Sequence, residues 1–187
     1  MEPADLSKIE LGDVSTNNGT KIIPISLEGK PVFWIPKDKM QCVYEPRGFD
    51  DPDGLANRVS VCFDVCESTE KFIKGLEDTI VSQLSQYSMT YFGKTLGKSE
   101  VRDVYLPSIR LSGKGCKTLR VKMNHAGYGA VNYWDEQKVP SDPPNDWTSC
   151  TISPRFLIRG LWMNGNQTGM VIELKDIMFS ETAVCPF

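Results

Sequence analysis

Residues 58–87, RVSVCFDVCESTEKFIKGLEDTIVSQLSQY, carry two different periods in one uninterrupted run. From Arg58 to Cys66 the chain alternates: Val59, Val61, Phe63 and Val65 point one way, and Ser60, Cys62, Asp64 and Cys66 the other. A period of two predicts a half-buried strand. Ser68 then has the chemistry of a helix N-cap, with Glu70 in the first turn where the helix dipole favours it. Beyond it Phe72, Ile73, Leu76, Ile80, Leu84 and Tyr87 recur at spacings of three and four. That pattern predicts one amphipathic helix of about five turns, packed on the strands, with Lys71, Lys74, Glu77 and Asp78 facing solvent.

Upstream, KIIPISLEGKPVFWIP (21–36) reads as two short β segments around Glu28-Gly29, with Pro24 and Pro31 confined to an edge or to strand starts. Trp34 fits the core better than a stacking platform, since Trp is usually well buried. Residues 45–57, EPRGFDDPDGLAN, lack the spacing and closing Glu of a calcium loop and read as a solvated connection. Residues 1–19 hold few large apolar side chains and form an arm that ends in a turn. Downstream, Val101 to Leu111 reads as a strand in which Pro107 demands an edge or a bulge. Ser112-Gly113-Lys114-Gly115 reads as a turn. Thr118 to Met123 alternates sharply, Leu119, Val121 and Met123 inward and Thr118, Arg120 and Lys122 outward. GYGAVNYWDE (127–136) is a further strand, and the Pro- and Asp-rich 138–147 a loop. Residues 154–179 form a hairpin turned by Asn164-Gly165, and Gly160 marks a bulge or a close backbone approach. The sum is about seven strands and one long helix. It is a mainly β chain, either a five-stranded Greek-key barrel with elaborations or a β-sandwich crossed by one helix.

Composition narrows the function classes. At 187 residues, 40% hydrophobic and 24% charged, the chain is an ordinary globular domain with no apolar run long enough for a membrane span. MEPADLSKIELGD has no apolar core of a secretory signal, so an intracellular, unsecreted protein is expected. The six cysteines, Cys42, Cys62, Cys66, Cys116, Cys150 and Cys185, include no Cys-x-x-Cys pair and read as free thiols. The single histidine, His125, has no ligand or nucleophile partner in register, so neither a metal nor a cofactor is expected. No nucleophile elbow, phosphate loop or specified carboxylate pair is present, which argues against an enzyme.

One block stands out. Between Tyr91 and Lys122 lie Lys94, Lys98, Arg102, Arg110, Lys114, Lys117, Arg120 and Lys122, against only Glu100 and Asp103. Eight cations against two acids make the stretch +6, so the rest of a chain of net charge −3 sums to −9. An acidic protein with one basic block has a directional field suited to a polyanion. Phe92 and Tyr105 within the block, and Tyr128, Tyr133 and Trp134 after it, add rings on which bases can stack. Cations that follow a backbone, combined with aromatic platforms, suit single-stranded nucleic acid without sequence preference. Nothing marks a reader of the ribose 2′-hydroxyl, so RNA stays open beside DNA. The alternative is a β-rich interaction module, a subunit of an assembly or a carbohydrate binder, whose basic block meets an acidic partner.

The order of parts resembles a family. A strand and a long amphipathic helix are followed by Phe92-Gly93-Lys94, then Val101 and Tyr105-Leu106-Pro107-Ser108, then Leu119-Arg120-Val121-Lys122, then a closing hairpin with a glycine. This looks like the single-stranded-DNA-binding proteins of nucleocytoplasmic large DNA viruses, which are similar to the replication single-strand binders of short-tailed phages. The resemblance spans residues 30–180. It implies an oligonucleotide-binding (OB-like) barrel that coats single-stranded DNA during replication or recombination without enzymatic activity. With the arm read above, the expected organisation is a flexible arm (1–19), one OB-like domain (20–180) and a tail (181–187). It places the protein in the nucleus or at a viral replication site. It also implies that Phe92, Lys94, Tyr105, Arg110 and Lys122 belong to the groove or its support. The phage proteins end in an acidic tail with a terminal aromatic that recruits replication partners. Here Pro186-Phe187 is present with Glu181 as the sole nearby acid, and the acids of the N-terminal arm, Glu2, Asp5, Glu10 and Asp13, are the other candidates for that role.

Overall fold

The computed structural model describes residues 5–17, 19–48, 56–113, 115–127 and 129–181. The elements in chain order are a 3-10 turn (Leu6–Lys8), β1 (Ile9–Leu11), β2 (Ser15–Asn17), β3 (Thr20–Leu27), β4 (Lys30–Trp34), β5 (Met40–Gln41), β6 (Arg58–Asp64), α1 (Glu67–Gln86), α2 (Ser88–Phe92), α3 (Lys98–Val104), β7 (Tyr105–Leu106), β8 (Ile109–Leu111), β9 (Lys117–Asn124), β10 (Asn132–Trp134), β11 (Cys150–Asn164) and β12 (Gln167–Glu181). The fold is mainly β with one long helix, the OB-like β-rich class expected. No helix among the described residues is long and apolar enough to cross a membrane. The chain divides into two compact units, one of residues up to 33, 70–108 and 158–171, the other of 34–69, 109–157 and 172 onward.

In the first unit β3 is the hub. It pairs antiparallel with β1, β2, β4 and the distal half of β11. The segment 9–17, expected as an arm, thus contributes two short strands, and Ile9 is buried. Gly160 faces Pro24 across β3 and β11, and a Cβ there would run into the Ile23 carbonyl. The close approach expected of this glycine is real. The helical stripe also holds: Ile73, Leu76, Ile80, Val81 and Leu84 are fully buried. Three expectations need correction. Tyr87 lies past the end of α1 and is exposed. Glu77 is buried rather than solvent-facing, because it accepts the Ser108 backbone N–H (2.7 Å). The expected strand from Val101 to Leu111 begins instead as α3. Gly97 caps that helix and Glu100 Oε2 accepts the Gly97 N–H (2.7 Å), after which Val101 and Val104, three apart, keep a helical face. Only at Tyr105 does the chain extend, pairing parallel with β12.

In the second unit β9 is central. It pairs antiparallel with β6 along seven residues, and on its other side with β8 (antiparallel) and β12 (parallel, Lys122 opposite Glu173). β10 joins β12 in parallel, and β5 pairs with the proximal half of β11. The alternation holds strand by strand: Val59, Val61 and Phe63 of β6, and Leu119, Val121 and Met123 of β9, are buried together with Phe156, Ile172 and Leu174. Trp34 stacks on Phe156 (centroids 5.2 Å apart), as a core-capping ring should. The helix starts one residue before Ser68, not after it: Ser68 lies in the first turn and donates its hydroxyl to Asp38, which also accepts from the Cys66 thiol. The described cysteines are free thiols, and burial pushes that of Cys42 up to about 12.

Candidate nucleic-acid interface

The outward face of β9 is set by its pairing with β6. Cys62 lies opposite Arg120, Ser60 opposite Lys122, and Arg58 opposite Asn124, while the apolar residues between them point inward. A further strand-like segment adds to the row. Arg47 bridges Ser60 with reciprocal backbone bonds (2.9 and 3.3 Å), so Arg47, Ser60 and Lys122 lie in register across three neighbouring segments. On the far side Arg110 stands opposite Thr118, on the same face. Residues two apart on a strand are ~6.7 Å apart and neighbouring strands ~4.8 Å apart, so these cations form a compact grid.

Glu173 organises one edge of this grid. It is buried, and its two carboxylate oxygens meet Arg58 Nη2 (3.1 Å) and Lys175 Nζ (2.9 Å). Arg58 reaches it across β9, since Glu173 lies opposite Lys122 on β12. Lys122 itself donates to Ser60 Oγ (2.9 Å). Burial first, and then the neighbouring charges of Arg58 and Arg120, hold its amine below the ordinary lysine value of 10.5. A cation held next to other cations is disfavoured until an anion arrives. Among the described residues no carboxylate pairs with Arg120 or Lys122.

The aromatics of this unit are anchored. Tyr133 packs edge-on against Trp147 (6.1 Å) and shares a hydrogen bond with His125 Nδ1 (3.4 Å); burial pushes its phenol up to about 12. Trp134 Nε1 donates to Asp176 Oδ1 (3.4 Å). Burial opposes ionisation of Asp176, but hydrogen bonds from Asn132 and Arg155 outweigh it and hold the carboxyl below its ordinary range. Both rings are half-buried, so each can offer an edge or one face.

The remaining candidates fall in the first unit. Arg102 on α3 is paired with Asp78 of α1. Tyr105 is buried at 3% exposure, beside Glu77, so it serves as support and not as a stacking surface; burial pushes its phenol upward. Lys98 is exposed on α3. Phe92 ends α2, Gly93 turns left-handed (φ 69°) behind it, and Lys94 follows, exposed. Phe92 and Lys94 line a cleft of about 280 Å³ together with Lys21, Tyr91 and the hairpin turn 164–166. Lys114 and Tyr128, the Asp-rich loop around Asp51 and the tail after Glu181 lie outside the described residues.

Sequence reasoning missed Arg47, Arg58 and Lys175. Arg58 had a signal, since it shares the phase of Ser60 and Cys62. Arg47 had none, because its bridge to Ser60 is a long-range pairing.

No family model matches the chain, and no curated protein matches it in sequence. Solved structures do. The chain is similar to the single-stranded DNA-binding protein from bacteriophage Enc34 in complex with ssDNA, at a TM-score of 0.49 and 11% identity, covering 94% of this chain and 97% of that one. A C-terminal truncation of the same phage protein gives 0.49 and 11%, with coverage of 95% and 98%. Similar too, at 0.44 and 10% identity over 84% of this chain and 90% of that one, is gp2.5, a single-stranded DNA binding protein encoded by bacteriophage T7.

Proposed function

We propose that the protein binds single-stranded DNA with little sequence preference, through phosphate neutralisation on the outward face of β9 and its neighbours. The observation that carries this reading is the row of Arg47, Arg58, Arg110, Arg120 and Lys122 on one sheet face, with Arg120 and Lys122 unpaired by any described carboxylate. A grid of cations on strands tracks a backbone, whereas base reading would require polar side chains fixed toward base edges. Lys117, exposed at the start of β9, extends the same block, and Lys114, three positions before it in sequence, carries the same charge. Tyr133 and Trp134 offer ring surface within the second unit, and Tyr128 is a further aromatic candidate from the sequence. Phe92, Lys94 and Lys98 are separate candidate contacts carried by the first unit. Arg102 and Tyr105 brace the first unit instead.

The order of parts further supports a place among the single-strand binders of large DNA viruses, acting at a replication site and meeting replication proteins there. The test is anisotropy of labelled oligo-dT at two salt concentrations, with oligo-U, duplex DNA and heparin as competitors. Saturable binding that favours oligo-dT over duplex and heparin, and that weakens steeply with salt, is expected. Equal competition by heparin would transfer the basic face to an acidic protein partner. Preference for oligo-U would make the ligand RNA.

A further inference from the structure

The cleft beside the hairpin turn differs from the sheet face in shape and in chemistry. It is concave, at about 280 Å³, where the sheet presents an open grid. Two lysines reach it from different elements: Lys21 from β3, where it lies opposite Met163 just before the hairpin turn, and Lys94 from the segment after α2. None of the described residues that line it is acidic. Phe92 and Tyr91 supply ring surface, and Tyr91 is fixed there because its hydroxyl donates to the Leu11 carbonyl (3.3 Å). Asn164 and Asn166, exposed on the turn, carry amides that can both donate and accept. A ligand that satisfies all three groups is an anion joined to a flat ring with hydrogen-bonding edges.

We infer that this cleft is a single-nucleotide subsite: one base packs on Phe92, its edge meets the Asn164 and Asn166 amides, and its phosphate lies between Lys21 and Lys94. The inference rests on the single-strand reading for its ligand, a nucleotide of a DNA strand. It adds what a cation grid lacks, a place where one base is enclosed and its edge contacted. A protein tolerant of sequence along most of its contact would then show a modest preference for the base held here.

The test is NMR titration of the labelled full-length protein with dTMP, with inorganic phosphate and ribose 5-phosphate as controls. dTMP is expected to shift the backbone amides of Gly19, Gly93 and Gly165, and each control to shift them by less than a third as much. Lys21→Glu and Lys94→Glu, both at exposed positions, should abolish the response. Phe92→Leu, which keeps apolar bulk and removes the ring, should weaken it about tenfold. Asn166→Ala should narrow the difference between dTMP and dAMP. Equal response to phosphate alone, shifts elsewhere on the protein, or an unchanged Phe92→Leu titration would overturn the subsite. A failure of the parent reading looks different: no salt-sensitive binding of oligo-dT by the unaltered protein.

Discussion

Arg102 and Arg120 come from the same basic block, eighteen positions apart in sequence, and their surroundings differ completely. Arg102 sits on α3 against α1, where Asp78 neutralises it and buried Glu77 lies close by. Arg120 sits on the outward face of β9, opposite Cys62 and one pleat from Lys122, with no described carboxylate to pair with it. A charge count treats the two alike. The potential does not, because a cation already paired releases few counterions when a phosphate approaches. The proposed function therefore rests on the β9 face of the block, and it treats the α3 region as a brace.

The largest effect should come from reversing the β9 charges. Arg120→Glu with Lys122→Glu is expected to lower oligo-dT affinity at low salt by at least about 100-fold, with some loss of thermal midpoint because position 122 lies opposite buried Glu173. A loss of less than tenfold would place the contact elsewhere.

On the brace, the expected effect is on stability. Glu77→Ala removes the acceptor of the Ser108 N–H and should cost about 1–3 kcal/mol, read as a Tm drop of roughly 2–10 °C with unaltered DNA affinity. Glu77→Gln keeps an acceptor and should lose less. The two forms also diverge with pH. Burial raises the Glu77 carboxyl above its ordinary 4.5, so the folded state holds the proton more tightly than the unfolded chain. Stability from this group falls as pH rises from about 4.5 through the raised folded value, and is level below 4.5. Glu77→Gln should lack that fall in a pH series of denaturant melts.

Two smaller effects sharpen the β9 side. Glu173→Gln removes the anion that holds Arg58 and Lys175. It should raise oligo-dT affinity about threefold to tenfold and steepen its salt dependence, at some loss of Tm. Because burial and cationic neighbours hold the Lys122 amine below 10.5, binding should begin to weaken on the alkaline side before an ordinary lysine would titrate. Lys122→Arg, which stays charged throughout that range, should remove the weakening.

The same contrast explains what was legible in the sequence. β6, α1, β9 and the Asn164-Gly165 hairpin each announce themselves through local period or turn chemistry, and each is present, α1 with its ends shifted by a residue or so. α3 was missed because Val101, Val104 and Tyr105 fit a strand as readily as one helical turn. The signal that separates them is Gly97 followed by Glu100, a cap that closes back on its own backbone. The burial of Glu77 had no local mark, since its partner Ser108 is far away in sequence. The proposed interface was legible in its charges but not in its membership. Arg47 joins through a bridge to Ser60, and Arg102 leaves through Asp78; both outcomes are decided by long-range register.

The most direct measurement is the slope of log affinity for oligo-dT against log salt in three proteins: unaltered, Arg120→Ala with Lys122→Ala, and Arg102→Ala. Each phosphate contact on a single strand contributes about 0.7 to that slope, so the double variant should lose about 1.4 while Arg102→Ala changes it little. An unchanged slope in the double variant, or an equal loss on removing Arg102, would contradict a binding face built on β9.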